Sequence, residues 1–192
     1  DLALRNANFD LIAVITLDEV FHWDPQTEAA LAYGSTDTKH PMVSEMGRWN
    51  KVCISGPMKI VNLPKYYDFV DLRLTPAQVR EELEAMGQDN VVAFQTRNPL
   101  HRIHEELTKR AAAQVNGSLL VHPTVGMTKP GDVDHYSRTR TYKALVENHY
   151  DKNSTMLSLL PLAMRMAGPK EVLLHAIIRR NHGANHFVVG RD

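Results

Sequence analysis

Two textures of apolar and polar positions run along the chain. Up to about residue 70 the apolar residues fall in short β-prone runs. These are Leu11-Ile12-Ala13-Val14-Ile15, then Val20-Phe21, then Val52-Cys53-Ile54-Ser55-Gly56 and Met58-Lys59-Ile60-Val61, the last two broken at Gly56-Pro57. Such runs bounded by turn residues read as short strands. Asp24-Pro25 supplies an N-cap and a first-turn proline for one short helix through Ala29, Ala30 and Leu31, ended near Gly34. The pattern predicts a small β-rich unit.

Near residue 71 the texture changes. Thr75-Pro76 is a second N-cap with proline, Val79, Leu83 and Met86 follow at helical spacing, and Gly87 closes the helix. Apolar strands then alternate with helices: strands over 91–94, 119–121, 156–160 and 187–189, and helices over 99–116, 137–149 and 169–182. Leu100, Ile103, Leu107, Ala111 and Val115 form the expected packed stripe of the first of these helices. Val172, Leu173, Ala176 and Ile177 play that part in the last. Unbroken apolar strands in such an alternation predict an α/β unit with a parallel sheet covered on both faces and joined by right-handed crossovers. The domains expected are 1–70, β-rich, and 71–192, α/β. In a parallel sheet the strands' carboxyl ends share one edge, and ligands bind there where the strand order reverses. Residues 95–104, 122–134, 161–168 and 190–192 gather at that edge.

Hydrophobic residues make up 43% of the chain and the formal net charge is zero, which excludes a disordered chain. Cys53 is the single cysteine, which excludes a disulfide scaffold or a multi-cysteine zinc site and leaves Cys53 as a small core residue. No apolar run approaches the roughly 18 residues of a membrane span, and no signal peptide opens the chain. With no initiating Met and an end straight after an apolar run, the chain reads as an internal piece of a longer polypeptide. The zero net charge hides an asymmetry. Residues 1–96 carry 8 basic and 14 acidic side chains, and residues 97–192 carry 14 and 8. A basic half suits an anionic ligand. Basic residues interleave sparsely with aromatic ones, which favours a small anion over nucleic acid. A merely solvated basic face is the plain alternative.

The chemistry concentrates in Gln95-Thr96-Arg97-Asn98-Pro99-Leu100-His101-Arg102-Ile103-His104. Asn98-Pro99 reads as the cap of the following helix, whose free amides and positive dipole end would face the ligand edge. Arg97 beside it offers a planar, permanently charged fork for a tetrahedral oxyanion. His101 and His104, one turn apart at the rim of the stripe, suit phosphate oxygens that gain charge during transfer. The alternative is a simple cap with two half-buried histidines. A zinc site fails on spacing, because helical zinc pairs stand at i,i+4 with a glutamate between them. No G-x-x-x-x-G-K-[ST] loop is present, so a P-loop kinase is excluded. Arg138 and Arg140 read as a solvated helix face, and His175 and His182 as packing residues.

This ten-residue segment resembles the Q-x-R-N-P-x-H-x-x-H signature of the ATP sulfurylase (sulfate adenylyltransferase) family. Gly126-Met127-Thr128-Lys129-Pro130-Gly131-Asp132 resembles its mobile K-P-G-D loop. Ala163-Met164-Arg165-Met166-Ala167-Gly168-Pro169, the run from His175 to Ala184, and Gly190-Arg191-Asp192 resemble its later motifs. The likeness covers essentially the whole chain. It departs at the end, where the family's pattern continues with His-Ala-Gly-Pro.

The resemblance implies a Rossmann-like sheet of HxxH-type nucleotidyltransferase architecture after part of a PUA-like entry domain, with the α/β domain truncated at its C-terminal end. It implies attack of sulfate on the α-phosphorus of MgATP, giving adenosine 5′-phosphosulfate and pyrophosphate, in the cytoplasm, by a homo-oligomer. Magnesium would enter with ATP, with no resident metal, nucleic acid or membrane as partner. Matched position by position, Gln95 and Arg97 would hold sulfate, and Thr96, Arg97 and Asn98 would act at the reacting phosphate. His101 and His104 would bind the departing phosphates. Gly190, Arg191 and Asp192 would contact the nucleoside, and Gln95 to Asn98 would also belong to the ATP site. Adenylyl transfer to another anionic acceptor, and a nucleotide-sensing module without turnover, are the competing readings.

Overall fold

The computed structural model describes residues 1–190. The chain forms two compact units, with the break between Asp68 and Phe69. In the first unit, β1 (Leu2–Arg5), β2 (Leu11–Ile15) and β5 (Met58–Ile60) make an antiparallel sheet in the order β1-β2-β5. β3 (Glu19–His22) pairs separately with β4 (Val52–Ser55). Asp24 caps α1 (Pro25–Tyr33) through the Gln26 and Thr27 amides, and Gly34 ends it at φ 68°, where only glycine is unstrained. α2 (Pro41–Met46) is an element beyond those the apolar pattern predicts. It closes a small core of Ala29, Val43 and Met46 with Trp23 and Tyr33 against it.

The second unit begins with α3 (Pro76–Ala85), started by a reciprocal capping box between Thr75 and Gln78. A wholly parallel sheet follows, in the order β8-β7-β6-β9: β6 (Val91–Phe94), β7 (Ser118–Val121), β8 (Thr155–Leu157) and β9 (His186–Val188). β6 to β7 to β8 progresses one way, and β9 returns to the other side of β6, so the order reverses between β6 and β9. Right-handed crossovers in opposite directions put helices on opposite faces. Phe94, Leu119, Val121 and Tyr150 form one core with Ala112 of α4 (Arg102–Gln114) and Leu145 and Val146 of α5 (His135–His149). Val79 and Leu83 of α3 form the other, with Val91, Ala93, Leu120 and Met156. α6 (Pro169–Asn181) joins β8 to β9.

Both expected helix faces need correction. α4 starts at Arg102, not Pro99. Ile103 and Leu107 are 74% and 46% exposed, while Thr108 is fully buried and bonds the Tyr150 hydroxyl at 2.8 Å. On α6, Leu173 and Ile177 face outward and Glu171, His175 and Arg179 are buried. A polar stripe can turn inward when its members partner one another; here Arg179 bonds His175 and His175 faces Glu171, with Arg179 Nε alone of the stripe's side-chain nitrogens and oxygens left buried without a hydrogen bond.

Candidate functional site

The register pairs Phe94 with both Val121 and Val188, and Val121 with Leu157. The strands therefore end level, and Gln95, His122 and Val189 emerge at one edge. Gln95 to Asn98 leave β6 beside β9, at the point where strand order reverses, which is where open α/β sheets take ligands.

A tight turn shapes that exit. The Asn98 amide donates to Thr96 Oγ1 at 3.1 Å, and Thr96 Oγ1 donates to the Asn98 carbonyl at 2.9 Å. The Tyr142 hydroxyl of α5 donates to the same carbonyl at 2.7 Å, and the Thr124 amide donates to the Thr96 carbonyl at 3.0 Å. Thr96 is thus mostly buried and its hydroxyl is committed to the turn, while Asn98 is exposed. Asn98 does not cap α4. The chain runs on through Pro99 and Leu100, and His101 is the residue that precedes the first helical turn. Proline after Asn98 disfavours a helical conformation at Asn98 itself, which a cap tolerates. The Thr96 and Tyr142 bonds hold Asn98 in a separate turn, and the His104 side chain caps the His101 amide at the helix start.

Arg97 turns into a partly buried position, where its Nη1 lies 2.7 and 2.5 Å from the two Asp132 carboxylate oxygens. Burial alone would raise the Asp132 carboxyl. The Arg97 bond and charge, with the Thr128 hydroxyl and the Lys129 amide, outweigh it and hold the group below its ordinary value. Both contacts come from Nη1, so the seat beside the Arg97 guanidinium already holds an oxyanion, the Asp132 carboxylate. Asp132 is the end of the Lys129-Pro130-Gly131-Asp132 turn, so this surface loop closes over Arg97.

Past the turn, the His101 amide donates to His104 Nδ1 at 3.0 Å, and the two imidazoles stack 5.7 Å apart. Burial, then the neighbouring His101, lowers His104 below 6.5. With Nδ1 accepting a backbone proton, the neutral ring carries its proton on Nε2, an available donor to an oxyanion. Gly190 lies just beyond β9 at the same edge and is exposed; Arg191 and Asp192 lie outside the described residues.

Several residues of this edge escaped the sequence reading. Arg138, expected in solvent, is 2% exposed; its Nε donates to the Val133 carbonyl at 2.8 Å and its Nη1 to the Thr124 carbonyl at 2.9 Å. It thus ties both ends of the loop that carries Asp132. Arg140 is exposed. The signal for Arg138 was present: it stands on one helical stripe with Tyr142 and Leu145, the packed face of α5. Gly126 lets the loop pass close to the next one, because a Cβ there would sit 2.4 Å from the Leu162 carbonyl. Among the described residues no three His, Cys, Asp or Glu side chains converge as metal ligands would, and no helix is long and apolar enough to cross a membrane.

Residues 70–192 match the ATP-sulfurylase family, and residues 1–63 match the PUA-like domain family. The chain is 50% identical over 183 residues to the sulfate adenylyltransferase of Schizosaccharomyces pombe, covering 95% of the chain and 37% of that protein. It is 50% identical over 193 residues to the sulfate adenylyltransferase of Mycosarcoma maydis, covering 100% of the chain and 33% of that protein. The chain thus spans about a third of the length of these curated relatives. Among solved structures it resembles the hexameric APS kinase from Thiobacillus denitrificans, with TM-score 0.76 and 28% identity over 99% of this chain and 33% of that one.

Proposed function

The chain belongs to the ATP-sulfurylase family, and from that premise we propose that its second unit supplies the anion-binding and phosphate-binding edge of a sulfate adenylyltransferase. The observation that carries this reading is Arg97. Its guanidinium stands at the strand-order reversal with a carboxylate already seated on it. Sulfate would take the seat that Asp132 holds, against Arg97 and Gln95. A sulfate oxygen attacks the α-phosphorus of MgATP, an S–O–P bridge forms, the bond to the β-phosphate oxygen breaks, and pyrophosphate leaves with the electron pair. Sulfate is already an anion, so no general base is required. What the reaction needs is two mutually repelling anions held in line, which is positioning and charge stabilisation.

Arg97 bridges the two anions, and the turn held by Thr96 and Asn98 meets the reacting phosphate. His101 and the Nε2–H of His104 receive the charge that grows on the leaving phosphates. Gly190 would contact the nucleoside, and the family resemblance assigns the same role to Arg191 and Asp192, which lie outside the described residues. Magnesium enters with ATP as part of the substrate. We place the domain boundary near residue 70, the enzyme in the cytoplasm, and the active form in a homo-oligomer.

Incubating the full-length protein with ATP and labelled sulfate, then separating products by chromatography, tests the reading. Adenosine 5′-phosphosulfate formed in step with pyrophosphate supports it. Transfer to a phosphate ester with sulfate inert would point to another acceptor, and nucleotide binding without product would point to a sensing module.

A further inference from the structure

Glu171, His175 and Arg179 form a buried polar stripe on α6, at 7%, 3% and 0% exposure. Arg179 donates from Nη1 to His175 Nδ1, so His175 presents its Nε2 proton to Glu171 Oε1, 3.4 Å away. The Glu171 carboxylate also accepts the Arg165 amide at 2.6 Å and the Ala167 amide at 3.2 Å. These two amides straddle Met166, whose φ of 55° is left-handed. The carboxylate thus clasps a kink that an L-residue rarely adopts.

One end of this stripe leads to the Gln95 side chain and the other to the end of β6 just before it. At one end, Met164 anchors its amide on the Met127 carbonyl at 2.7 Å, and its Sδ accepts from Gln95 Nε2 at 3.4 Å. At the other, Arg179 Nη2 donates to the His122 carbonyl at 2.9 Å, and the His122 amide donates to the carbonyl of Phe94, the residue before Gln95, also at 2.9 Å. The Gln95 side chain and the Phe94 carbonyl that precedes it therefore join one ring of contacts through α6. Packing alone does not call for such a set, because well-packed apolar residues in place of a buried ion pair are often no less stable.

We propose that Glu171 is a positioning residue for the anion site, aiming the Gln95 side-chain amide by fixing the kinked 164–167 backbone. The Gln95 amide would then present a donor beside Arg97 in one orientation, which favours a tetrahedral oxyanion over other anions. The inference rests on the sulfate role of Gln95 proposed above.

The test uses the full-length protein with Glu171→Gln, which keeps size but offers one acceptor in place of two, and Met164→Leu, which removes only the sulfur acceptor. The Gln95 side-chain amide resonance, assigned by its loss in Gln95→Leu, should move in both variants. Faster exchange of the Arg165 and Ala167 amides should appear in Glu171→Gln alone. The sulfate KM should rise about tenfold in both, with kcat and the KM for ATP within about twofold of the parent. An unmoved Gln95 resonance while the Arg165 and Ala167 amides lose protection would overturn the proposal. So would an equal loss for sulfate and ATP. If Glu171→Gln does not fold, Met164→Leu decides by the same resonance and KM. Should the parent make no adenosine phosphosulfate, the functional reading fails while the resonance still decides whether Glu171 positions Gln95.

Discussion

Asp132 competes with any anion that approaches Arg97, so replacing it with asparagine should tighten sulfate binding. Both carboxylate oxygens lie within 2.7 Å of the guanidinium, and the side chains of Arg97 and Asp132 are 17% and 6% exposed. The pair joins Arg97 to a loop near the protein surface, where an effective dielectric of ~20 applies. Charge centres about 4 Å apart then attract by about 4 kcal/mol. Desolvation and the ordering of the loop offset much of this, leaving about 1–2 kcal/mol net. Asparagine keeps the shape and a neutral acceptor but loses that charge term, so the sulfate Kd should fall about 5- to 30-fold, at 1.4 kcal/mol per decade. Calorimetric titration of sulfate into the full-length protein measures it. Melting should come a few degrees lower, because the pair also holds the loop. The folded Asp132 carboxyl titrates below its ordinary 3.8. The pair's stabilisation is therefore complete above that pH and is lost as pH falls through the lower folded value. Unchanged or weaker sulfate binding in Asp132→Asn would refute the competition and make Asp132 a part of the closed site.

Three further expectations follow from the same geometry. Arg97→Lys should leave the sulfate KM at least about tenfold above the parent, because an ammonium cannot form the planar fork; full rescue by lysine would mean that only a point charge is needed. His104→Asn keeps an acceptor for the His101 amide, so melting should stay within a few degrees while turnover falls about tenfold or more through loss of one oriented donor. A collapse in stability with intact specific activity of the folded fraction would make His104 a core residue. Burial, then the Arg179, His182 and His175 charges, holds His122 well below 6.5. The unfolded chain then takes up a proton below 6.5 that the fold refuses, so stability should decline as pH drops through that range. Denaturant midpoints at pH 7 and pH 5.5 should differ less in His122→Gln than in the parent, and an equal pH slope in both would discount the histidine.

Most of the architecture was legible because local signals and burial agree. The Asp24 and Thr75 caps, the unbroken apolar runs of β6 and β7, and the β8–β9 crossover each point one way. Arg97 and the His101–His104 pair could be marked from residue type alone. The helix faces could not. Periodicity assigns the inward side of α6 to Leu173 and Ile177, yet Glu171, His175 and Arg179 go inside because each supplies the partner that another needs. The helix start at Arg102 was hidden by Asn98-Pro99, which signals a cap as strongly as it signals the hydrogen-bonded turn that Thr96 forms there. The partnership of Arg97 with Asp132 spans 35 residues of sequence, and no periodic pattern encodes it.

Arg97 at the β6–β9 edge is proposed to hold the sulfate that attacks ATP. Exchange of labelled pyrophosphate into ATP by the full-length protein, with and without sulfate, in the parent and in Arg97→Ala, tests it most directly. Exchange should require sulfate in the parent and should fall about 30- to 1000-fold in Arg97→Ala, the loss of a charge-assisted clamp worth about 2–4 kcal/mol. Exchange that proceeds without sulfate, or that survives in Arg97→Ala at close to the parent rate, would contradict it.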